Sequence, residues 1–269
     1  MLPIFDVAVS GFGRAIRSLP RVLGIYWLPW LLGTVAVLIL EVVVQDQLRL
    51  GRAPDWARNI VWAPFAAMAY LMLLRWALNG EPPARAINLE IGRKAWVSAA
   101  IVAAWFLANV MVDSAPVPML RWLVLPQDVV GYQWENLEPY AYAFNFAAWL
   151  VNCVLLAWFF GLLVVVARCG WPDLREHWNL VRLQPARLFC ISLLATATVG
   201  GMWRLGSQVI AWFGLDHLAP QGMIPWRANI LPAFVAELPY FPLQFLEFAI
   251  QGCILAEAYR RLLLEKDRR

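Results

Sequence analysis

Six apolar runs divide this sequence, at residues 22–44, 60–78, 95–114, 143–167, 187–206 and 230–258. Runs of about 20 residues are long enough to cross a hydrocarbon core of roughly 30 Å. The expectation is an all-α integral membrane protein with six transmembrane helices, in which a single polytopic domain occupies residues 1–269. Composition agrees: 62% of residues are hydrophobic and 15% charged, against roughly 45–50% and about 25% in soluble domains. The opening residues, MLPIFDVAVSGFGRAIRSLPR, lack the basic, apolar and small-residue order of a cleaved secretory signal, so the first span is expected to be retained.

Lysine and arginine then assign direction, because cytoplasmic loops hold an excess of them. Arg14, Arg17, Arg21, Arg85, Arg93, Lys94, Arg168, Arg175, Arg182, Arg187, Arg260, Arg261, Lys266, Arg268 and Arg269 belong to one side, and Arg49, Arg52, Arg58, Arg121, Arg204 and Arg227 to the other. Fifteen against six places both termini in the cytoplasm and the long loop 115–142 outside. The setting expected is a bacterial inner membrane. The net charge of +4 reflects this topology and not nucleic-acid binding. Trp56, Trp62, Trp76, Trp96, Trp171, Trp203 and Trp226 fall near span ends, where an indole can straddle the interface.

Three stretches share a layout in which a short segment with an apolar face meets a basic or proline-marked junction and then an odd-numbered span. They are FDVAVSGFGRAIRSLPRVLGIYWL, LNGEPPARAINLEIGRKAWVSAAI and GWPDLREHWNLVRLQPARLFCISL. Phe5, Val9, Phe12 and Ile16 recur at helical spacing in the first, as do Leu174, Trp178 and Val181 in the third. Short helices over 4–18, 84–92 and 173–183 are expected to lie in the cytoplasmic interface, apolar face down. An interfacial helix plus a two-helix hairpin, three times over, makes a parallel repeat. In this layout, and in the junctions PARAINLEIGRKAW and REHWNLVRLQPARLF, the chain resembles the YciC-like family of six-span bacterial inner-membrane proteins, and more distantly the membrane domains attached to some glycerophosphodiesterases. The resemblance implies the span count and brings no catalytic residue with it.

The last run is the unusual one. VAELPYFPLQFLEFAIQGCILAEAYRR carries Glu237, Glu247 and Glu257 with Pro239 and Pro242. At about 100° per residue, Glu237, Tyr240, Gln244, Glu247 and Gln251 fall within roughly 80° of one another. Glu257 falls elsewhere, beside Arg260 and Arg261, where local pairing at the helix end explains it. An ionised acid at the depth of Glu247 costs roughly 2.5 to 3.5 kcal/mol on insertion scales. That face must therefore point into protein or water. Partners within reach are Asn109, Asn145, Asn152 and Thr196, with Arg204 at a depth similar to Glu237. Glu41 and Asp113 lie near the same outer end, as polar partners there or as solvated helix ends.

No H-E-x-x-H, G-x-S-x-G or P-loop is present, so no enzyme is expected. Cys153, Cys169, Cys190 and Cys253 form no C-x-x-C, and His177 and His217 sit in connections, so neither metal, haem nor other cofactor is expected. What remains is a non-catalytic membrane component with an assembly, envelope or bilayer-organising role, in which the polar face joins helices. Its partners would be membrane lipids and other membrane-protein subunits or a second copy. The alternative is a small-solute, proton-coupled or lipid transporter that uses Glu247 as a protonatable centre.

Overall fold

The structure, a computed structural model, describes residues 3–48, 55–80, 93–114, 138–169, 171–214, 234 and 238–267. The junction helix expected at 84–92, His217 and Glu237 lie outside the described residues. Every regular element among the described residues is helical: α1 (Ile4–Arg17), α2 (Leu19–Leu48), α3 (Asp55–Asn79), α4 (Arg93–Ser114), α5 (Glu138–Cys169), α6 (Leu174–Val181), α7 (Pro185–Trp212) and α8 (Phe241–Asp267). Segments of α2 (Leu19–Val44), α3 (Trp56–Leu78), α5 (Ala143–Arg168) and α7 are long and apolar enough to cross a membrane, and α4 contains a shorter apolar stretch, Trp96–Val112. Outward faces agree with lipid contact. Leu32, Val35, Ile39 and Val43 make an exposed ridge along α2, and Phe146, Val151 and Val154 another on α5, far more apolar surface than a water-soluble helix leaves bare. The chain is an α-helical membrane protein.

Local chemistry sets the breaks. Pro20 sits in the first turn of α2, where its missing N–H costs nothing but a continuous helix from α1 would clash, so the chain turns at Ser18. Asp173 caps α6, its Oδ1 accepting from the backbone N–H of Arg175 at 2.9 Å and Glu176 at 3.1 Å. Pro185 occupies the first position of α7, where its missing N–H is not needed.

The last helix differs from the expected segment. It begins at Phe241, after a 3₁₀ turn over Leu238–Tyr240, and continues to Asp267. Pro239 lies in that turn and Pro242 in the first helical turn. Both prolines therefore fall where α8 begins, where a missing donor goes unused. At the other end, α7 runs past 206 to Trp212.

α8 is the central element. It packs on α1, α2, α3, α5, α6 and α7, and nearly every residue from Phe248 to Leu263 is buried. Tyr259, Leu255 and Ile254 are among its largest fully buried side chains. The helix richest in acids is thus the one most enclosed by other helices, and its charged residues keep it out of the set long and apolar enough to cross a membrane. α1 lies close against it: a Cβ on Gly11 would stand 2.6 Å from Ile254 Cα, so only glycine lets the two backbones approach this far.

Candidate functional site

Two polar centres lie along α8, ten residues or about 15 Å apart. The inner one is built on Glu247. Its Oε2 accepts a hydrogen bond from Trp203 Nε1 of α7 at 2.7 Å. The Trp203 ring also stacks on Tyr240, with centroids 6.5 Å apart and planes 20° from parallel. One turn away, Gln244 Oε1 accepts from Trp30 Nε1 of α2, and the Trp30 ring meets Phe241 edge-on at 4.5 Å. Gln251 is buried further along the same helix. Because α8 is central, its polar face is shared out, with Glu247 and Tyr240 turned to α7 and Gln244 to α2.

The expected amide and hydroxyl partners are placed differently. Thr196 Oγ1 donates to the Ser192 carbonyl of its own helix at 2.9 Å, Asn145 and Arg204 are exposed, and Asn152 is half-buried on α5. Asn109 Oδ1 is buried on α4 with no hydrogen-bond partner among the described residues. No described hydrogen bond joins any of them to Glu247. The donor is an indole that the sequence suggested for the interface. α7 runs further than expected, which leaves Trp203 nine residues inside its end. Trp56, Trp96 and Trp171, by contrast, are exposed near helix ends as an interfacial indole would be.

The second centre is built on Glu257, and here the local pairing found in the sequence is only half of the arrangement. Glu257 accepts from Arg260 Nε at 2.9 Å and Nη2 at 2.8 Å, and from Arg261 Nε at 2.8 Å. It also faces Arg14 of α1, whose Nη2 lies 3.4 Å from Oε2, and its side chain is 3% exposed. Arg261 reaches on to Asp6 and, at 3.1 Å, to Ser10 Oγ. Arg14 Nη1 donates to the Ala77 carbonyl at the end of α3 at 3.2 Å. One carboxylate thus ties the first helix to the last and to α3. The signal was present as Asp6, Ser10 and Arg14, spaced four apart on one flank of α1.

α6 docks beside this centre through Lys266 to Glu176 and through His177, which inserts against Trp158 at 5.1 Å between ring centroids. His177 is 1% exposed, and neither ring nitrogen makes a hydrogen bond among the described residues. Burial pushes its pKa down to about 4, partly offset by the nearby Gly161 backbone. Gly161 matters sterically too, since a Cβ there would stand 2.3 Å from Tyr259 Oη and 2.6 Å from His177 Cε1. The Tyr259 hydroxyl donates to the Ala157 carbonyl at 2.6 Å. At the opposite end, Glu41 is not a solvated helix end: it is buried on α2 and lies 3.2 Å from Arg58 Nε of α3.

Chemically, neither centre pairs a nucleophile with a base, and no group of three metal-ligating side chains occurs among the described residues. Cys153 and Cys253 are free and buried. Comparison with protein-family models, curated proteins and solved structures finds no match to this chain.

Proposed function

We propose that this protein is a six-span component of a bacterial inner membrane, with both termini cytoplasmic, whose role is non-catalytic: it assembles, supports or organises other envelope or bilayer components. The observation that carries the reading is the Trp203 to Glu247 hydrogen bond. If Glu257 marks the cytoplasmic interface, Glu247 lies about 15 Å deeper, near the middle of a hydrocarbon core of roughly 30 Å. An acid at that depth tied to an indole of the next helix is interhelical glue, a use of polar side chains worth roughly 0.6 to 2 kcal/mol per contact in a membrane.

The gathering of Arg14, Arg260 and Arg261 on Glu257, with Lys266 on Glu176 beside it, supports the orientation. The six long helices α2, α3, α4, α5, α7 and α8 support the span count. The repeat, and with it the likeness to the YciC-like family, draws on two short helices in equivalent places. α1 precedes α2 and α6 precedes α7, and both expose the expected apolar residues, Phe5, Val9, Phe12 and Ile16 on one and Leu174 and Trp178 on the other.

Transport is the second reading, and Glu247 is again the observation behind it, since intramembrane acids line many proton paths. Proton flux separates the two. In liposomes carrying the parent or Glu247→Gln, the glue reading expects no flux above empty vesicles from either; flux from the parent that the Gln variant abolishes would establish transport instead.

A further inference from the structure

The exposed face of α6 has no protein covering it among the described residues. Leu174 and Trp178 are 62% and 61% exposed, while His177 and Leu180 on the opposite face are buried. Arg175 and Arg182, seven residues apart, form a second exposed ridge beside the apolar one. Neither makes an ion pair among the described residues, although acids are close by in sequence. Those acids are engaged elsewhere: Asp173 folds back to cap the helix, and Glu176 is held by Lys266 of α8. An indole and a leucine beside two unneutralised guanidinium groups match one kind of surface. The apolar pair fits the glycerol and upper acyl region, and a guanidinium presents parallel N–H donors to phosphate.

We propose that α6 is a binding site for anionic phospholipid, in which Arg175 and Arg182 hold the phosphate-bearing headgroups and Trp178 and Leu174 seat in the leaflet. The site rests on the membrane reading above and adds lipid class to it. His177 and Gly161 fix the helix at the height this requires, because the buried imidazole leaves α6 no freedom to lift from α5 without opening the core.

The test uses the full chain in an uncharged detergent, with phosphatidylglycerol or phosphatidylcholine added and bound lipid counted by native mass spectrometry. At about 1 kcal/mol per arginine near an anionic surface, the parent prefers phosphatidylglycerol by roughly 10- to 30-fold at low salt. R175Q/R182Q removes that preference and leaves phosphatidylcholine binding unchanged, whereas W178A weakens both lipids alike. Equal binding of the two lipids by the parent, or a preference kept by the double variant, overturns the site. Should the double variant fold poorly, the parent still decides, since raising salt from about 50 mM to about 500 mM must erase the preference. A photoreactive phosphatidylglycerol must then label residues 171–187, and labelling confined to other helices overturns it as well. None of these outcomes bears on proton flux through Glu247, so failure here leaves the non-catalytic reading standing.

Discussion

Replacing Glu257 with leucine should loosen the N-terminal helix from the rest of the bundle. The carboxylate is 3% exposed and faces three guanidinium groups, from Arg14, Arg260 and Arg261. Removing one partner of a fully buried pair costs about 3–5 kcal/mol, because the other charge is left uncompensated. The arginines here are 30%, 39% and 26% exposed, so water reaches them and relieves part of that cost. About 2–3 kcal/mol is therefore expected for Glu257→Leu. Glu257→Gln keeps an acceptor oxygen of similar size and should lose about half as much. Arg14→Gln removes one ion pair and the bond to Ala77, for about 1 kcal/mol. Denaturant unfolding in detergent gives the stabilities, and protease cleavage near Ser18 reports whether α1 has come away. The reasoning is refuted if the leucine variant matches the parent in both, since α1 would then be held by packing around Gly11 and by its contacts to Arg261 and Ala77, without need of the Glu257 carboxylate.

Stability should fall with acid through His177. Its folded pKa of about 4 lies below the ordinary value of 6.5, so the unfolded chain binds the proton more readily, and up to about 3 kcal/mol is lost as pH drops from 6.5 to 4. Above 6.5 the contribution is complete; His177→Leu should flatten this part of a melting-temperature profile. Gly161→Ala should cost about 1–3 kcal/mol by overpacking against Tyr259 and His177, visible as a lower melting temperature, while alanine at Gly200, where nothing lies within 4 Å, should cost nothing measurable. Reporter fusions at residues 50, 130 and 269 should read outside, outside and inside; a cytoplasmic signal from the first two would reverse the orientation.

That the chain is an α-helical membrane protein was legible because span length is a one-dimensional quantity. Helix ends were less so. The run 230–258 does not show where α8 begins, at Phe241, because a proline in a first turn and a proline in mid-helix look alike until the start is known. Uncertainty over the end of α7 likewise hid Trp203. On α1, the spacing of Phe5, Val9, Phe12 and Ile16 drew attention to the lipid side, although Asp6, Ser10 and Arg14 repeat just as regularly on the flank that meets Glu257. Periodicity shows that a face exists and not what stands opposite it. Trp30 and Gln244 are 214 residues apart, and no local pattern could have joined them. That such a face is costly in lipid follows from side-chain chemistry alone.

The structural role of Glu247 is tested most directly by a double-mutant cycle with Trp203, reading unfolding free energy for Glu247→Leu, Trp203→Phe and the pair. Glue at this contact predicts that Glu247→Leu loses about 1–3 kcal/mol, that Glu247→Gln remains close to the parent, and that the two sites couple by about 0.6–2 kcal/mol. Additive losses, or a leucine variant as stable as the parent, would show that the Trp203 to Glu247 bond does not hold α8 in the bundle.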